Sequence, residues 1–143
     1  MKKRALRVLI CIYKDEKVSY NTKGEDMKNT NPLEKAKKFA SRILKLSTYI
    51  KKEKNLEEGV SLLIETGLKL GASLSFAFEN EFNEYIFETL QKALELAISI
   101  SFYLEVFFAI GILNDKEFSS INADCAELVA IISELLKSIH EGA

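Results

Sequence analysis

Few side chains in this chain are equipped for chemistry, and their spacing argues against most reactions. The lone histidine, His140, stands near the C-terminal end. It cannot supply the paired Glu-x-x-His sites of di-iron helical bundles, and a terminal imidazole is a poor centre for a Ser/His/acid triad. Glu95 and Glu105 are the carboxylates most surrounded by apolar residues. On one helix they lie about 15 Å apart along the axis, too far for an acid and base sharing a pocket. Cys11 and Cys125 lack metal-ligand spacing and read as free thiols of a reducing cytoplasm. No Gly-rich phosphate loop, zinc pattern or dinucleotide fingerprint is present. The residues point to a protein that is not an enzyme and carries neither cofactor nor metal.

What remains is charge. Lys35, Lys38, Arg42 and Lys45 recur at three- and four-residue steps and form a basic outer helix face. A solvated face is the plain reading, and contact with the phosphates of RNA or DNA is the functional one. The net charge of −1 hides an uneven distribution: residues 1–32 sum to +4, residues 33–54 to +6, and residues 55–143 to −11. A basic first third and an acidic remainder predict complementarity within the chain or between subunits.

The elements that carry these residues read as helices. One proline, six glycines and abundant Leu, Ile, Ala, Glu and Lys favour helix throughout a single domain. Asn31-Pro32 is an N-cap followed by proline at the first helical position, opening a helix to about Lys52. Asn55-Leu56-Glu57-Glu58 has the form of a capping box for a second helix ending near Phe78. Gly67 and Gly71 in that helix predict a close approach by another backbone. A turn at Glu79-Asn80-Glu81 leads to a third helix from about Phe82 to Ile110. Gly111 stops it. Asn114 and Glu117 form a second capping box, with Leu113 and Phe118 at the staple positions. The fourth helix then carries Phe118, Ile121, Cys125, Leu128, Ile132, Leu135 and Ile139 as a heptad seam. Short connections predict an all-α, antiparallel up-down-up-down four-helix bundle over residues 31–143.

Residues 1–30 read as an N-terminal arm or linker, disordered or holding a short strand over residues 5–13. Met27 precedes the first helix signal, so residues 1–26 also read as an appendage. Lys2-Lys3-Arg4 and ALRVLICIY imitate a signal peptide, but Arg7 and the following KDEK argue against export. The expectation is a cytoplasmic protein.

The most apolar run, Leu96–Leu113, is interrupted by one charge, Glu105. The polar stripe of Glu84, Glu88, Lys92, Glu95 and Ser99 closes within it. As a membrane span it reaches only the lower length limit, and its flanks give no orientation signal. It reads instead as a helix half covered by its own bundle. The uncovered half, around Phe102, Tyr103, Val106 and Phe107, is the expected subunit interface, with Glu105 paired to a Lys or Arg at a helix or subunit contact.

Ala93-Leu94-Glu95-Leu96 through Ala109-Ile110-Gly111-Ile112-Leu113-Asn114-Asp115-Lys116-Glu117-Phe118 resembles a known bacterial group. These are the small four-helix-bundle proteins encoded in intervening sequences of large-subunit ribosomal RNA genes, related to the accessory variability proteins of diversity-generating retroelements. The glycine stop, polar-acidic cap and phenylalanine stand where that group has them, and helix order fits over about residues 31–139. The segment Ser73–Asn80 departs from the group's pattern, and only the first helix is basic. The resemblance implies a non-enzymatic homo-oligomer, typically a ring of five bundles. In the retroelement relatives that ring binds a reverse transcriptase and nucleic acid. Two readings follow. One is an oligomeric scaffold or adaptor acting on RNA, DNA or a polymerase through Lys35, Lys38, Arg42 and Lys45. The other is a protein-partner-binding module of a mobile element or toxin-antitoxin system. An enzyme and a membrane-associated protein rank below both.

Overall fold

The computed structural model describes residues 31–79 and 85–141. The N-terminal arm, Cys11, the turn after Glu79 and the expected helix start at Phe82 lie outside them. Four helices make up the described chain: α1 Pro32–Glu53, α2 Val60–Glu79, α3 Ile86–Ala109 and α4 Asp115–Glu141. No strand occurs among the described residues. Each helix packs on its sequence neighbour, and α1 closes the ring against α4. The architecture is the expected all-α four-helix bundle.

Local chemistry explains most of the boundaries. Asn31 Oδ1 accepts from the backbone N–H groups of Leu33 at 2.9 Å and Glu34 at 3.2 Å, with Pro32 following. These bonds satisfy donors that the first turn leaves without partners. Before α4, Asn114 Oδ1 accepts from the Glu117 N–H at 2.8 Å, and Glu117 Oε1 accepts from the Asn114 N–H at 2.9 Å. That is the reciprocal capping box expected there. The α3 stop is a Schellman motif around Gly111, whose φ is +82°. Ile112 N–H donates to Phe107 O at 2.8 Å, and Gly111 N–H donates to Phe108 O at 3.1 Å. The Phe108 and Phe118 rings then stack at 4.6 Å across the turn.

The start of α2 corrects the sequence reading. Asn55 does not cap it: its φ is +54°, and it follows the α1 C-cap, Lys54. Asparagine tolerates the left-handed region, so it can end one helix as readily as it opens another. Gly59, at φ +82°, makes the final turn into Val60.

The core is one cluster fed by all four helices. α3 contributes Ile86, Leu90, Ala93, Ala97, Ile100, Leu104 and Phe107, a regular heptad seam. α4 contributes Ile121, Cys125, Leu128, Ile132, Leu135 and Ile139. Between α1 and α2, a Cβ on Gly67 would stand 3.0 Å from Ile43 Cγ2. The missing side chain therefore lets the two helices approach, as its position in α2 predicts. By length and composition α2 is the one described helix able to cross a membrane. In the bundle it buries Leu63, Leu70 and Leu74, while Lys69 and Glu65 pair at 3.2 Å on its outer side. The run 96–113 is not one helix, because α3 ends at Ala109 and Leu113 is buried at the entry to α4.

Candidate interaction surfaces

Two surfaces collect the residues singled out by the sequence. One is the seam between α1 and α4, the other the outer face of the second half of α3.

The four basic residues of α1 share one side of the helix but not one set of partners. Lys35 forms an ion pair with Glu127 of α4. Arg42 pairs with Asp124 and also donates to Ser120, to Oγ at 2.7 Å and to the carbonyl at 3.4 Å. Lys35 and Arg42 stand two turns apart on α1, as do Ser120 and Glu127 on α4, so the antiparallel register matches cation to carboxylate. Burial in the seam holds the Lys35 ammonium below its ordinary pKa; Asp124 pulls it up and Lys38 pushes it down. Lys38 and Lys45 are exposed and have no ion-pair partner among the described residues. Of the four residues expected to contact phosphate, Lys35 and Arg42 pair with α4, while Lys38 and Lys45 are exposed, as are Lys37, Lys51 and Lys52.

The same seam opens toward the α4 N-terminus into a cleft of about 420 Å³. Arg42, Lys45, Leu46 and Tyr49 line it from α1, and Lys116, Glu117, Ser120 and Ile121 from α4. Tyr49 is partly exposed, with Lys54 Nζ 6.0 Å from its ring centroid. The sequence reading missed Tyr49, Lys116 and Ser120 as a group, because residues so distant in the chain signal nothing together until α1 and α4 pack.

On α3, Ile98 is 53% exposed, Phe102 60%, Val106 38% and Ile110, just past the helix, 61%. These residues recur every four positions. Phe102 stands in the outward line of Glu88 and Glu95, where the wet stripe gives way to apolar surface. Tyr103 is half-buried and meets the Phe102 ring edge-on at 6.3 Å. Glu105 is exposed without an ion-pair partner among the described residues. Phe107 departs from the expected interface. It is only 6% exposed and belongs to the core seam, its ring beside Gly59. Counting heptads from Ile86 through Ala93 and Ile100 reaches Phe107, and that count was the available signal.

Chemistry is sparse among the described residues. No group of three or more His, Cys, Asp or Glu that could hold a metal occurs among them. Cys125 is a buried free thiol whose Sγ donates to Ala97 O at 3.3 Å. Burial, assisted by the Asp124 charge, raises its pKa from 9.0 to about 11, with the Ser101 backbone pulling the other way. It is protonated at neutral pH and weakly nucleophilic.

No model of a protein family matches the chain, and no curated protein matches it. Among solved structures it is similar to a protein of unknown function from the S23 ribosomal protein family of Bacteroides thetaiotaomicron. The two are 22% identical, with a TM-score of 0.71, over 74% of this chain and 98% of that one. At that identity the likeness is one of fold.

Proposed function

We propose that the protein is a non-enzymatic, homo-oligomeric four-helix-bundle scaffold of the bacterial cytoplasm, a relative of the ribosomal RNA intervening-sequence proteins. It assembles through the outer face of α3. The observation that carries this reading is the exposure of Ile98, Phe102, Val106 and Ile110 on one continuous winding strip. A contiguous apolar strip is unfavourable in water unless a partner covers it. A second copy of the chain is the partner proposed, and a ring of five is the assembly the family resemblance implies. The likeness to a protein of the S23 ribosomal protein family supports the resemblance.

The adaptor role rests on α1, whose Lys37, Lys38, Lys45, Lys51 and Lys52 remain exposed without an ion-pair partner among the described residues. This array suits nucleic-acid phosphates or the acidic surface of a nucleic-acid enzyme. The protein-partner module is the second reading, favoured by the same apolar strip.

Native mass spectrometry of the full chain and of Phe102→Ser tests the assembly. A multi-subunit wild type and a monomeric, still helical variant are expected. A monomeric wild type overturns homo-assembly and leaves the strip to a different protein.

A further inference from the structure

Along the α1–α4 seam the charges match until the cleft. Lys35 meets Glu127 and Arg42 meets Asp124. One further turn along α1, Lys45 shares its cleft with another cation, Lys116 of α4. Glu117, which accepts from the Asn114 N–H, is the one carboxylate lining the cleft, against the three cations Arg42, Lys45 and Lys116. Neither Lys45 nor Lys116 has an ion-pair partner among the described residues. Two unpaired ammonium groups on facing walls raise the local potential and favour an anion between them. Ser120 Oγ accepts from Arg42, so its own hydrogen is left to donate outward.

The remaining lining is apolar and aromatic: Leu46 and Ile121 with the partly exposed ring of Tyr49. A bare phosphate would use the cations and leave this part unused. A flat aromatic ring carrying a phosphate uses both, through stacking and charge-assisted bonds. The cleft volume is within the range of small-ligand sites, roughly 300–1,000 Å³.

We infer that the α1–α4 cleft binds a nucleoside phosphate, its base against Tyr49 and its phosphate between Lys45 and Lys116. The nucleotide is either free or an unpaired unit of a nucleic-acid strand. This deepens the nucleic-acid half of the proposed function by replacing a diffuse basic helix with a defined subsite.

The test titrates AMP, inorganic phosphate and a fluorescent single-stranded RNA of about 12 nucleotides into the full chain. The variants are Tyr49→Ala, Lys116→Glu and Lys37→Glu, the last an exposed α1 cation outside the cleft lining. Unchanged helical circular dichroism checks that each is folded. Tyr49→Ala and Lys116→Glu are expected to weaken binding roughly tenfold or more, as losing a stacked base does, and Lys37→Glu by much less. AMP bound tighter than phosphate, with this dependence, supports the cleft even if RNA does not bind; the free nucleotide is then the ligand and the nucleic-acid reading falls. RNA binding with this dependence supports an unpaired unit of a strand. RNA binding weakened equally by Lys37→Glu and Lys116→Glu overturns the cleft and keeps the diffuse basic surface. No binding of AMP or RNA overturns it outright.

Discussion

Ser47 and Cys125 show how burial sets the behaviour of a polar group. Ser47 is fully buried on the inner side of α1, and its hydroxyl has no hydrogen-bond partner among the described residues. A buried hydroxyl without a partner costs about 1–3 kcal/mol, while alanine fills nearly the same space and is a better helix former. Ser47→Ala is therefore expected to stabilise the bundle by about 1 kcal/mol, read as a raised midpoint in urea unfolding. Cys125 is satisfied by the Ala97 carbonyl and held as a thiol by burial. The native state keeps its proton up to about pH 11, whereas an unburied thiol loses it near 9.0. Between those values the unfolded chain binds fewer protons than the native one, so stability falls as pH rises. Below that window the contribution is fully present. Wild type should accordingly lose stability faster than Cys125→Ala from pH 9 to 11, measured by urea midpoints at each pH. Equal slopes in the two proteins would refute the assignment.

At the scale of elements, α3 carries two apolar faces, one buried in the bundle and one exposed. Its heptad seam through Phe107 faces the bundle, and the line through Phe102 faces out. Truncating each should have opposite signatures. Phe107→Ala removes a core ring beside Gly59 and is expected to cost about 3–5 kcal/mol of folding stability, seen as a large drop in thermal midpoint. Phe102→Ser is expected to lower the mass of the proposed assembly instead. A Phe107→Ala variant that melts like wild type would place Phe107 at an interface after all. Much of α3 and α4 was legible because heptad spacing, the Gly111 stop and the Asn114–Glu117 box are local patterns. Asn55 was not. Its type suits a helix end and a helix start equally, and the turn into α2 is made instead at Gly59, where α1 and α2 approach at Gly67.

For the whole molecule, charge asymmetry turns out to act inside the chain first. The basic α1 is held against the acidic α4 by Lys35–Glu127 and Arg42–Asp124, the complementarity that the block charges predict. What is left over is a bundle with a basic outer face on α1 and an apolar one on α3. Those helices each touch α2 and α4 and occupy opposite corners of the ring. The two leftovers respond differently to salt. Binding to phosphates weakens steeply as ions compete, while an apolar contact does not depend on that screening. Oligomer mass measured by light scattering should hold from low salt to about 1 M, where nearby exposed charges are screened beyond about 3 Å. Dissociation at high salt would move the interface from α3 to the charged faces.

The sequence by itself determined the helices, their order and the two helix-capping signals, because these depend on side chains within a turn or two of one another. It also determined the block charges and the apolar excess of α3. Only the tertiary structure decided which cations pair within the bundle. Lys35, Lys38, Arg42 and Lys45 look alike along the chain, and the packing of α4 separated Lys35 and Arg42 from the other two. It likewise brought Lys116 and Tyr49 to one cleft. Periodicity tells which residues share a helix face. Which neighbour covers that face depends on packing between segments far apart in sequence.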